Sequence, residues 1–166
     1  MEKCVFMDYQ KETIEKMYAQ GGLFLTSGIE KPNAMTIGWG SIGVYWGKPI
    51  FVVPVRKSRF THGLLEACKE FTISVSLKGM KQELAFCGSK SGLNVDKFES
   101  LHLTALPGQE VHVPVIGECD LFYECKVVFQ QDMRQEQLVP DFQKKWYSDN
   151  DYHTMYYGEI VACYKK

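Results

Sequence analysis

Between Lys31 and Leu65 the chain carries Lys31, Lys48, Arg56, Lys57 and Arg59 and not one Asp or Glu, although it holds 20 acids elsewhere. The densest part is Val55-Arg56-Lys57-Ser58-Arg59-Phe60-Thr61, where a strand pattern ends and a helix pattern begins. Ser58 or Thr61 can cap that helix, its first backbone N–H groups point outward, and its dipole favours an anion, so the turn suits a phosphate. Arginine adds forked donors that match phosphate oxygens. A solvated basic turn whose hydroxyls only cap the helix is the other reading of the same residues.

Upstream, Asn33-Ala34-Met35-Thr36-Ile37-Gly38-Trp39-Gly40 joins small side chains, a flexible thioether and two glycines. Such a surface admits a flat ring, with Trp39, Tyr45 and Trp46 as aromatic faces and the glycines letting backbone polar groups reach a ring edge. Read structurally, the same glycines are barrel corners and the tryptophans are core. Downstream, Cys87-Gly88-Ser89-Lys90-Ser91-Gly92 interleaves Gly, Ser and Lys after a helix pattern, as a loop wrapping an anionic or ring ligand would.

Other chemistries leave no trace. There is no Ser-His-Asp arrangement or paired carboxylates, so no catalytic acid-base residue is assigned. No GxGxxG and no Walker loop occur, which excludes a Rossmann or NTPase nucleotide domain. Four histidines, none spaced with cysteine as zinc ligands are, give no metal site. Six cysteines lack a CxxC pair and read as reduced thiols.

The elements that must position these residues are mostly strands. Alternation is cleanest in Phe71–Ser76 and longest in Glu118–Gln130, where Cys119, Leu121, Tyr123, Cys125, Val127 and Phe129 share a face opposite a polar one broken by Phe122 and Val128. Leu23–Ser27, Met35–Gly43 and Ile50–Arg56 also read as strands. Helices are expected at about Arg59–Lys69, at Lys81–Cys87 with Gly88 as its end, and at Gln137–Trp146. His153–Tyr164 is apolar on both faces, as a barrel wall pressed against a second subunit would be, and predicts a homodimer. Many strands with a few short accessory helices make the chain mainly β, a Greek-key-type β-barrel.

The whole chain bounds the rest. Its 166 residues, 45% hydrophobic and 23% charged, suit one domain spanning 1–166 with an ordinary core. A formal net charge of −1 gives no general attraction to nucleic acid or an anionic membrane. With no apolar run fit for a signal peptide or membrane span, a cytoplasmic location is expected.

Taken in order, NAMTIGWGSIGVYWGKP, VRKSRFTHGLLEACKEFTISV, FCGSKSGLNVDKF and HTMYYGEIVACY resemble the flavin-reductase-like family, whose fold is the FMN-binding split barrel. The resemblance runs from about Leu23 to Tyr164. It implies a flavoredoxin-like homodimer binding FMN near the subunit interface, with Asn33, Met35, Thr36 and Ile37 bordering the isoalloxazine. Arg56, Ser58, Arg59 and Thr61 would hold the phosphate, and Cys87, Ser89, Lys90 and Ser91 would cover the flavin. His153 and Tyr156 would close the site or come from the other subunit. NADH or NADPH would supply electrons to flavin or another acceptor through bound FMN. An electron carrier that serves a redox protein shares the same site. An oligonucleotide-binding barrel using Arg56, Lys57 and Arg59 with Trp39 and Trp46 is the reading from another class.

Overall fold

The computed structural model describes residues 1–166. In chain order it contains β1 (Glu2–Lys3), a 3₁₀ turn (Phe6–Tyr9), α1 (Gln10–Ala19), β2 (Leu23–Ser27), β3 (Asn33–Ile37), β4 (Ser41–Tyr45), β5 (Lys48–Arg56) and α2 (Phe60–Cys68). These are followed by β6 (Glu70–Val75), α3 (Lys81–Ser89), α4 (Lys97–Ser100), β7 (Ala105–Leu106), β8 (Val115–Ile116), β9 (Leu121–Asp132), α5 (Pro140–Trp146) and β10 (His153–Lys165). No helix is long and apolar enough to cross a membrane.

Eight strands join in one antiparallel sheet of order β3-β2-β6-β9-β10-β5-β4, with β1 on the C-terminal half of β10. Strand β10 pairs β9 along most of its length, and its first half pairs β5. It manages this through register shifts at Tyr157/Gly158 and Ile160/Ala162, the bulges that let a long strand bend. Gly158 is required at the first, because a Cβ there would press into the Phe71 ring at 2.5 Å. One core fills the concave side with Leu25, Phe51, Phe71, Tyr123 and Tyr156. A second lies between the opposite face and α3, with Phe24, Ala34, Cys87, Phe122 and Tyr164.

The second core corrects the expected polarity of β9. Phe122 and Glu124 are both fully buried, so the first half of the face taken as polar is covered too, while Lys126 and Gln130 further along it are exposed. Glu124 is tolerated there because its carboxylate accepts the backbone N–H groups of Gln109, Glu110 and Val111 at 2.7–3.0 Å and the Tyr164 hydroxyl at 2.5 Å. The expected strand Met35–Gly43 is two strands, broken at Gly38–Gly40. There a Cβ on Gly40 would meet the Val52 carbonyl at 2.8 Å. Helix α3 runs through Gly88 to Ser89, since Lys90 N–H still reaches the Phe86 carbonyl at 3.0 Å. Helix α1, for which no expectation was set, packs Thr13 and Met17 inward.

Candidate functional site

The basic turn, β3 and the end of α3 converge on two adjoining clefts that share Met35, Thr36 and Arg59. The two differ in character. The first is polar, lined by Asn33, Ser58, Arg59, Thr61, Ser89, Lys90, Ser91 and Lys97, with Phe60 and Cys87 beside them. The second is walled by Ile37, Trp39, Pro54, Trp146 and His153. Strand β3 runs along both.

At the polar end, helix α2 starts after Arg59 with no side-chain cap, so the N–H groups of the cleft residues Phe60 and Thr61 stay open, while that of His62 bonds the Arg59 carbonyl at 2.9 Å. This corrects the expected capping by Ser58 or Thr61. The Ser58 hydroxyl donates instead to Asp151 at 2.5 Å, and the buried Thr61 hydroxyl accepts from Asn33 Nδ2 at 2.9 Å. Arg56 is engaged as well, with Asp149 at 3.2 Å, and Lys57 pairs with Asp132 at 2.6 Å. Arg59 keeps one long contact, to the Gly88 carbonyl at 3.5 Å, and Lys90 has no acidic partner. The loop closes tightly over this end, since a side chain at Gly92 would overlap Asn33 and Phe60.

Lys97 was not singled out from the sequence, yet it lines the polar cleft at only 3% exposure. Its ammonium donates to the carbonyls of Ala34 at 2.7 Å and Cys87 at 2.9 Å, tying β3 to the end of α3. An ammonium has three donors, so one remains for a ligand. Burial lowers its pKa, with Arg59 acting the same way and Cys87 opposing. Burial pushes the Cys87 thiol up to about 11, which keeps it protonated and a poor nucleophile. No spacing rule could have found Lys97, because its partners are backbone carbonyls 63 and 10 residues away.

At the aromatic end, Trp39 meets Trp146 edge to face at 5.2 Å and the His153 ring at 5.3 Å. His153 is 7% exposed, and burial followed by the Arg56 charge lowers its pKa to about 4. Its Nδ1 lies 2.8 Å from the Tyr147 hydroxyl. Tyr156 borders neither cleft. It is fully buried, and its hydroxyl donates to Glu66 at 2.6 Å, holding that carboxyl below its usual range. Of the expected residues, the structure brings together all but Tyr156 around the two clefts.

The mainly antiparallel β fold with short helices is that of the FMN-binding split barrel. The flavin reductase like domain model matches residues 16–166, and the chain belongs to that family. It is 30% identical over 148 residues to an uncharacterised protein of Archaeoglobus fulgidus, covering 89% of this chain and 73% of the relative. It superposes on flavoredoxin of Desulfovibrio vulgaris with a TM-score of 0.70 at 28% identity, covering 87% of this chain and 69% of that one. Flavoredoxin from Methanosarcina acetivorans gives 0.67 at 29% identity, with 87% and 67% covered.

Proposed function

We propose that this chain is a single domain that holds FMN across the two clefts, with the phosphate at the polar end and the isoalloxazine on β3 facing the aromatic wall. The observation that carries this reading is the graded cleft itself. It offers open helix N–H groups and unpaired cations at one end and an edge-to-face tryptophan wall at the other, with Met35 and Thr36 common to both. Arg59 and Lys90 would bind the phosphate oxygens, Ser89 and Ser91 would cover them, and Asn33 and Thr61 would stay locked to each other as the cleft floor.

When bound, FMN supplies hydride acceptance from a reduced nicotinamide and onward electron transfer. The chain's part is to orient and to exclude water. The hydrogen bond shared between His153 Nδ1 and the Tyr147 hydroxyl holds the neutral imidazole in place on the wall of the aromatic cleft. A nicotinamide would stack on the flavin in the cleft that Trp39 and Trp146 wall. The resemblance in family supports NADH or NADPH as donor and flavin or another small molecule as acceptor.

A visible spectrum of the purified protein, before and after anaerobic addition of NADH, tests this. Flavin absorption that bleaches with NADH supports the reductase reading. A flavin spectrum that NADH leaves unchanged supports the carrier reading, which the flavoredoxin likeness favours and which needs a redox protein as partner. No flavin binding in a titration overturns both. We also place a homodimer on the exposed aromatic face of Tyr45, Trp46, Phe129 and Tyr157.

A further inference from the structure

Cys4 and Cys163 stand 159 positions apart, and no motif in the chain links them. The fold makes them neighbours. Strand β1 pairs β10 with Lys3 opposite Tyr164, and the next step brings Cys4 N–H to the Cys163 carbonyl at 2.9 Å. Their sulfurs lie 3.1 Å apart, about one ångström more than a disulfide bond. Of the other four thiols, Cys68 bonds Ser27 and Glu70, Cys119 faces Met80 and Cys87 adjoins Lys97, while Cys125 is fully buried in the same core as Cys163 and within its electrostatic reach.

We propose that Cys4 and Cys163 form a dithiol/disulfide couple that exchanges with low-molecular-weight disulfides. The two sulfurs divide the work by access. Cys4 is half-buried and reachable, whereas Cys163 is 5% exposed. The Cys4 thiolate attacks one sulfur of a small disulfide RSSR and expels RS⁻, forming a mixed disulfide. Cys163 then gives its proton to that RS⁻, attacks the Cys4 sulfur and expels the second RS⁻, which takes the proton Cys4 lost. Two protein thiols become one disulfide, RSSR becomes two RSH, and two electrons pass from protein to small molecule. Asp8, Tyr123, Cys125 and Lys165 are ionisable neighbours. Burial, then Cys4 and Asp8, raise the Cys163 pKa, consistent with its acting second.

The bond would latch the segment that underlies the aromatic wall. After Cys4 the chain enters α1, where Gln10 Nε2 donates to the Ile42 carbonyl at 2.8 Å and Thr13 bonds the Tyr123 hydroxyl at 2.8 Å. Met17 then sits 3.2 Å from where a Cβ on Gly40 would lie, directly after Trp39.

The test incubates the reduced full chain, folded, with oxidised glutathione. The expected product has lost the mass of two hydrogen atoms and two titratable thiols, and its tryptic map joins the Cys4 and Cys163 peptides. Cys163→Ser should stop at a glutathione adduct on Cys4, and Cys4→Ser should react far more slowly, with dithiothreitol reversing each change. A chain that stays reduced, a link between other cysteines, or adducts on Cys4 in the wild type without ring closure would each overturn the proposal.

Discussion

The Arg56 guanidinium donates to the Trp146 carbonyl at 2.7 Å, so this cation supports the aromatic wall. It also donates to the Asp151 carbonyl at 2.9 Å and lies 5.2 Å from the centre of the Tyr147 ring. Asp149 sits below the usual carboxylate range, chiefly through the Asp151 N–H, with Arg56 adding to it. The two arginines of the basic turn therefore separate in role. Arg56 shapes the cleft that would take a ring, and Arg59 is left free for a phosphate.

That separation predicts different ligand profiles. Arg59→Ala removes charge-assisted hydrogen bonds of about 1.5–3 kcal/mol, which weakens FMN roughly ten- to a hundredfold and leaves riboflavin nearly unchanged. Arg56→Ala should weaken both ligands alike, because it loosens the wall and not the phosphate end. Fluorescence titration of each variant with both flavins measures this. Equal losses for Arg59→Ala would remove the phosphate assignment.

Lys97→Met leaves the Ala34 and Cys87 carbonyls without a donor while relieving the cost of burying a charge. The net expectation is a destabilisation of about 2 kcal/mol and weaker FMN binding, since β3 and α3 lose their tie. Urea unfolding and flavin titration read the two effects. Unchanged stability with unchanged binding would show that the buried ammonium matters to neither.

The strands and the cleft loops were legible because alternation and glycine-rich polar runs are local signals. Phe71–Ser76 coincides with β6 almost residue for residue, although Thr72 and Ser74, on the polar side of the alternation, are fully buried and bonded to Pro114 and Ile116. Glu124 was misread as solvent-facing because its partners come from a loop 13 to 15 residues away, and only tertiary structure shows a buried carboxylate satisfied. Tyr156 is expected at the site only through the family resemblance, and because β10 carries a core on both sides its ring packs into one of them, away from the two clefts. Arg56 and Arg59 look alike as a basic pair. Which one is paired depends on Asp149 and Asp151, over 90 residues downstream.

His153 has a folded pKa of about 4 against an unfolded value near 6.5, so the unfolded chain binds more protons between them. Its contribution is complete above about pH 6.5 and is lost as pH falls toward 4, at most about 3 kcal/mol across that window. Wild type and His153→Gln should thus show different slopes of stability against pH from 6.5 to 4 in urea unfolding. Below this window the curves should run parallel. Parallel curves throughout would mean that His153 titrates like an exposed histidine.

The sharpest test of the dimer uses the hairpin between β4 and β5. Trp46 and Gly47 form its two-residue turn, with φ of 52° and 70°. Asn-Gly suits such a turn, and a bulky residue held left-handed costs on the order of 1 kcal/mol. Trp46 is nonetheless there, 65% exposed, within about 6 Å of Tyr45, Phe129 and Tyr157, with Val128 also open. An exposed aromatic cluster on a strained turn is the kind of surface that the proposed pairing of two copies would bury. Trp46→Asn should relax the turn and stabilise the isolated chain by up to about 1 kcal/mol. It should also remove an aromatic anchor worth about 2 kcal/mol or more, raising the dimer dissociation constant roughly thirtyfold. Sedimentation of wild type and variant over a concentration series separates the effects. A wild type that is monomeric at tens of micromolar, or a variant that associates as tightly as wild type, would show that the face does not join two copies.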